Sequence, residues 1–97
     1  MSAGGITLDS SRREVIKDGT VIDLKPREFD LLAYLMKNTG RVLTRAQIMQ
    51  SVWGYDLFDT TRTVDVHIGR LRGKLEDSPA QPKLILTMRG YGYCFTA

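Results

Sequence analysis

The residues best suited to chemistry lie in one stretch, TRTVDVHIGRLRGKL, residues 61–75. Wound as a helix at about 100° per residue, it gathers Arg62, Val66, Gly69, Arg70 and Gly73 on one side. Val64, Ile68, Leu71 and Leu75 form a narrow stripe opposite and predict a core contact. Thr63, His67 and Lys74 take one flank, Asp65 and Arg72 the other. The outward side is basic, small and slightly apolar. Glu and Lys at four-residue spacing would have stabilised a merely solvated helix, and each interior glycine costs about 1 kcal/mol relative to alanine. This combination suits entry into a duplex groove. An arginine can bond a guanine edge twice, a valine can meet a thymine methyl, and glycines give the backbone clearance. Arg70 and Val66 are the candidates for base edges, and Arg62, at the helix start, for a phosphate. A solvated basic face with two incidental glycines is the competing reading.

Arg89 is the second candidate, at the tip of RGYGY, residues 89–93. A lone basic side chain on a thin hairpin suits a narrow minor groove, where negative potential is enhanced. The same glycines mark a tight turn whose tyrosines pack on a sheet, and both readings can hold together. Charge is segregated accordingly. Residues 1–59 carry 8 Lys/Arg and 8 Asp/Glu, whereas residues 60–97 carry 6 and 3, so the net +3 lies in the C-terminal part. A basic region on a small domain favours an anionic partner.

Other chemistries fit poorly. Nucleophilic catalysis needs a base near a nucleophile, and the single histidine, His67, lies on the helix just described. Cys94 sits in a predicted strand with no basic neighbour to lower its pKa. The carboxylates show no pairing, so no catalytic residue is expected. One cysteine allows no internal disulfide, and no Cys/His cluster suggests a metal, so no cofactor is expected. A hydrophobic fraction of 42% and a charged fraction of 26% are ordinary for soluble domains. No apolar run approaches the roughly 20 residues that span a bilayer.

Positioning these residues takes a sheet, three helices and a hairpin. ITLD, EVIK and TVIDL are short and rich in β-branched residues, and Asp18-Gly19 is a two-residue hairpin signal between the last two. Ser10-Ser11-Arg12-Arg13 supplies the earlier turn. A helix is predicted from Pro26 to about Lys37, with Phe29, Leu32, Ala33, Leu35 and Met36 facing the core. Lys25 stands at its cap and has no acceptor side chain. Thr44 and Gln47 form a capping-box pattern for the next helix, Leu43 can staple onto Ile48, and Gly54 stops it near Trp53. Ile48, Val52 and Met49 are its core candidates. After GYDLFDT and the helix of residues 61–75, Asp77-Ser78-Pro79 and Pro82 break the chain. LILT and YCFT then flank MRGYG as a hairpin. Residues 1–5 read as a flexible leader and residues 6–97 as one domain.

KPREFDLLAYL, GRVLTRAQIMQSVWG, RTVDVHIGRLRGKL and LTMRGYGY, in that order, resemble the DNA-binding effector domain of OmpR/PhoB-type response regulators. The likeness runs from about Ile6 to Thr96. It implies an α+β winged helix-turn-helix: an N-terminal antiparallel four-stranded sheet, three helices and a C-terminal β-hairpin wing. It implies a recognition helix at 61–75 in the major groove and the wing in the minor groove. By position, Arg70, Thr63 and Val66 match base-facing sites and Arg89 the minor-groove arginine. Arg62, His67 and Arg72 match phosphate contacts on that helix, and Trp53, Thr87 and Tyr93 match phosphate contacts outside it. A half-buried packing role for His67 stays open. Gly69 stands where several relatives carry a base, and Lys25 where a threonine usually caps.

The resemblance also implies partners. It suggests double-stranded DNA with direct repeats, bound by a head-to-tail tandem dimer, and a receiver domain and sensor kinase in a full-length cytoplasmic regulator. RNA polymerase would contact the loop through Tyr55 and Asp56, while Leu57 and Phe58 fold back on the core. Two alternatives remain: a winged helix used for protein contact, and the same DNA-binding domain in a regulator without a receiver.

Overall fold

The computed structural model describes residues 1–54 and 61–97. The loop residues Tyr55, Asp56, Leu57 and Phe58 therefore lie outside the described residues. The chain begins with a four-stranded antiparallel sheet in sequential order: β1 (Ser2–Ala3), β2 (Ile6–Asp9), β3 (Glu14–Lys17) and β4 (Thr20–Ile22). The predicted hairpin is present. Lys17 pairs with Thr20 across Asp18 and Gly19, whose φ angles of +49° and +84° are those of the tight turn that matches strand twist. Ile6, Leu8 and Val15 turn inward, as period-two alternation requires.

The expected leader is placed differently. Ser2 pairs with Thr7 and Ala3 with Ile6, and the N-terminal ammonium donates to the Leu8 carbonyl at 3.0 Å. Residues 2 and 3 supply the fourth strand of this sheet. Two residues are too few to show alternation, and Gly4-Gly5 read as linker because a tight turn has the same composition.

Helix α1 spans Pro26–Lys37. Its buried face holds Phe29, Leu32, Leu35 and Met36 as predicted, and also Leu31, while Ala33 is only half-buried. Lys25 offers no side-chain cap, but Glu28 accepts from the Lys25 backbone N–H at 2.9 Å, which ties down the helix start. β5 (Leu43–Thr44) leads into α2 (Arg45–Ile48), continued by a π-helical segment, Met49–Trp53. The Thr44–Gln47 capping box forms in both directions, at 3.0 and 2.8 Å. In the π segment the Gly54 N–H reaches back five residues to the Met49 carbonyl at 3.1 Å, and also bonds Gln50 at 3.0 Å. The freed Val52 carbonyl accepts from Arg27 at 3.1 Å.

Helix α3 spans Thr61–Leu75. Val64, Ile68, Leu71 and Leu75 are all buried. Each such side chain contributes roughly 1.5–3 kcal/mol, so the stripe outweighs the roughly 2 kcal/mol lost to two glycines. Strands β6 (Ile85–Met88) and β7 (Gly92–Phe95) form the C-terminal hairpin. β5 adds a third strand to it, giving the order β5-β7-β6 with Leu43 opposite Tyr93. One core joins both sheets and all three helices.

Candidate nucleic-acid interface

The outward side of α3 is as its sequence predicts. Val66 is 45% exposed, and Arg62, Gly69, Arg70 and Gly73 are exposed around it. Neither glycine serves internal packing, because a Cβ placed at Gly69 or Gly73 meets no atom within 4 Å. Among the described residues, Arg62 and Arg70 take part in no ion pair. This face presents two uncommitted guanidiniums beside an apolar methyl pair and bare backbone.

The two flanks of α3 are occupied by protein. On one, Lys74 donates to Glu28 at 2.6 Å and to the Asp23 carbonyl at 3.0 Å. Glu28 is 1% exposed. Burial opposes its ionisation, but the Lys74 ammonium and the Lys25 N–H outweigh that and hold the carboxyl below its usual range. His67 lies on this flank, half-buried, with Trp53 packed against it at 4.9 Å between centroids and 76° between planes. His67 Nδ1 is 2.8 Å from the Thr63 carbonyl oxygen. A carbonyl only accepts, so Nδ1 carries the proton, and Nε2 of the neutral ring is an acceptor.

The other flank faces the wing. The Asp65 carboxylate accepts from Tyr93 Oη at 2.6 Å and from Arg45 Nε at 2.7 Å, on one oxygen. Arg72 donates from Nε and Nη2 to the Ile85 carbonyl at 3.0 and 2.8 Å, and from Nη2 to Thr87 Oγ1 at 2.8 Å. The guanidiniums of Arg72 and Arg45 lie over the Tyr93 ring, 5.5 and 5.9 Å from its centroid. Burial, then the bond to Asp65, raises the Tyr93 pKa above its ordinary value, keeping the hydroxyl a donor. The bond and charge of Asp65 likewise raise that of Arg45. Arg72, Thr87 and Tyr93, three expected phosphate contacts, are thus engaged inside the protein. Arg72 turns to β6 because that strand passes within reach and offers a carbonyl.

At the wing tip, the Tyr91 N–H bonds the Met88 carbonyl at 2.8 Å, and Gly90 takes the positive φ (+81°) of that turn. Arg89 is exposed there and has no ion-pair partner among the described residues. The second glycine has a different reason: a Cβ at Gly92 would collide with the Leu43 backbone, where β5 closes on β7. The two tyrosines part company. Tyr93 is 5% exposed and packs as expected, whereas Tyr91 is 72% exposed.

Residues 19–95 match the family model described as transcriptional regulatory protein, C terminal. The chain belongs to that family. It is 50% identical over 93 residues to the sensory transduction protein RegX3 of Mycolicibacterium smegmatis, covering 96% of this chain and 41% of that protein. It is 48% identical over 97 residues to the probable transcriptional regulator ycf27 of Cyanophora paradoxa, covering 98% and 41%. The chain therefore spans about two-fifths of the length of these relatives. Among solved structures, it superposes on the RstA DNA-binding domain of Klebsiella pneumoniae, in complex with RstA box, with a TM-score of 0.92 and 34% identity over 99% and 95% of the two chains. DrrB of Thermotoga maritima, an OmpR/PhoB homolog, gives 0.89 and 34% over 100% of this chain and 44% of that one. The fold is the winged helix of OmpR/PhoB-type response regulators.

Within this transcriptional regulatory domain, reading the sequence missed Arg45, Tyr91 and the carboxylates of Asp65 and Glu76. Glu76 is buried and accepts the backbone N–H groups of Lys83, Leu84 and Ile85, pinning the start of β6 to the end of α3. Arg45 did leave a signal. A cation in the first turn of a helix opposes the dipole, so it calls for a carboxylate from elsewhere.

Proposed function

We propose that this chain is the sequence-specific, double-stranded-DNA-binding output domain of a two-component response regulator that controls transcription. The observation that carries it is the outward face of α3: two arginines with no ion-pair partner among the described residues, an exposed valine and two glycines with open space above them. In the major groove, Arg70, Thr63 and Val66 read base edges. Arg89 enters the neighbouring minor groove. Arg62, His67 and Trp53 hold phosphates, and Thr87 can donate its own proton to one while accepting from Arg72. Arg72 shapes this surface first and touches phosphate second, and Tyr93, whose hydroxyl proton goes to Asp65, acts through the wing it holds. The solved RstA complex, on a close structural match, supports the reading.

Two copies bind direct repeats head to tail, and a receiver domain, phosphorylated by a sensor kinase, raises their local concentration by tethering. Family membership supports a cytoplasmic setting, and no described helix is long and apolar enough to cross a membrane. RNA polymerase meets the loop at Tyr55 and Asp56. Substituting both reduces activated transcription at unchanged DNA affinity.

Selection from a randomised duplex pool tests the central claim. Enrichment of a tandem motif is expected, and affinity for it should fall with salt at a log–log slope of about −0.9 per neutralised phosphate. Failure to enrich any sequence, together with a flat salt response, would point instead to a winged helix that binds protein.

A further inference from the structure

The two readers in this proposal sit on separate elements. The base-reading residues lie on α3, and Arg89 lies at the end of a two-strand hairpin. A protein that reads two grooves at once needs a fixed span between those readers, since a small misplacement forfeits the second set of contacts. The hairpin core alone does not set this span. β6 pairs with β7, β7 also pairs with the two-residue β5, and no backbone ladder joins them to α3.

Side chains make the joint: Glu76, just past α3, pins the start of β6, and the bonds nearer the wing tip gather around Tyr93 and Asp65. One carboxylate oxygen of Asp65, on α3, receives the Tyr93 hydroxyl from β7 and Arg45 Nε from the start of α2. Arg72, two turns further along the same flank of α3, reaches the Ile85 carbonyl and Thr87 Oγ1 on β6. The Tyr93 ring lies beneath both guanidiniums. Both wing strands and α2 are thus registered to the recognition helix on one flank. Asp65 is the one anion in this cluster, and two donors share it.

The geometry points to Asp65 as a positioning residue for two-groove readout: it fixes the wing, and with it Arg89, at a set distance and angle from the base-reading face of α3. This rests on the DNA-binding reading above. The phenolic proton of Tyr93 is given to Asp65, so Tyr93 cannot donate that proton to a phosphate at the same time. Its contribution to DNA binding is through the position of the wing.

The test uses a selected site and a second duplex in which the A·T pairs under the wing are replaced by G·C, which widens the minor groove. Wild type should lose about tenfold or more in affinity on the second duplex. With Asp65→Ala that ratio should collapse to about twofold or less, while methylation protection of guanine N7 in the major groove persists. Asp65→Asn, which keeps the acceptor oxygen, should recover part of the ratio. Should Asp65→Ala not fold, Tyr93→Phe decides the same point, because it keeps the ring and deletes only the hydroxyl. Retention of the wild-type ratio in the folded variant overturns the positioning role, as does an equal loss on both duplexes. Absence of any ratio in wild type instead means the minor-groove reading itself has failed, and the Asp65 role with it.

Discussion

Arg70 and Arg72 stand two residues apart on α3 and are used in opposite ways. Arg70 points outward with no ion-pair partner among the described residues, whereas Arg72 spends Nε and Nη2 on β6. Arg62 and Arg89 share the first condition; Arg45 and Lys74 share the second. The difference arises from helix geometry. Two residues turn the side chain by about 200°, so Arg72 meets a strand carbonyl while Arg70 finds no partner among the described residues. A count of basic residues treats all six alike, whereas among the described residues three of them break no bond to meet an anionic partner.

The largest effects belong to the committed group. Glu28→Gln weakens the buried bond to Lys74 and should destabilise the domain by about 1.5–3 kcal/mol near neutral pH. Its pH dependence has a definite sign. The folded carboxyl is held below the ordinary 4.5. Its contribution is therefore present above that value and is lost as pH falls through the lower folded value. The gap in Tm between wild type and Glu28→Gln should narrow from pH 6 to pH 3, and a constant gap would mean the ionised pair contributes nothing.

Next comes the direct contrast. Arg72→Ala should lower stability by about 1–3 kcal/mol, since it leaves the Ile85 carbonyl without its guanidinium donors. Arg70→Ala should leave stability within about 0.5 kcal/mol. It should instead cost about 1–3 kcal/mol of DNA affinity and relax preference at one base pair. Chemical denaturation and titration of the selected site separate the two. If Arg70→Ala lowered Tm while affinity held, the division of labour would be reversed.

Sequence reading resolved the two faces of α3 because a 15-residue amphipathic helix repeats its pattern four times. Asp18-Gly19 and the Thr44–Gln47 box were equally plain, being short-range chemistry. What escaped was either too short or too distant. β1 and β5 are two residues each and carry no period. The π turn at Met49–Trp53 depends on where a carbonyl finds its donor, which no local pattern encodes. Asp65 lies 20 residues from Arg45 and 28 from Tyr93, so their bond exists only once α2, α3 and β7 are assembled. The same distance explains Arg72, matched through the resemblance to a phosphate contact and found tied to β6.

The glycines test the uncommitted face from the other direction. Gly69→Ala and Gly73→Ala each place a methyl in open space. Each should stabilise the unbound domain by about 1 kcal/mol. DNA affinity should be unchanged or weaker, and a variant that bound more tightly would show that clearance is not what these glycines provide.

The smallest effect falls on the residue between the two groups. His67 is the single histidine of the chain. Its ring packs on Trp53 while Nδ1 donates to the Thr63 carbonyl, which leaves Nε2 as the one ring nitrogen able to face a phosphate. A single contact of this kind at a protein surface is worth less than about 1 kcal/mol, a few-fold in affinity at fixed pH and ionic strength. His67→Gln should therefore weaken DNA binding by no more than that few-fold factor in a titration of the selected site. Unchanged affinity in this variant would make His67 a packing residue only.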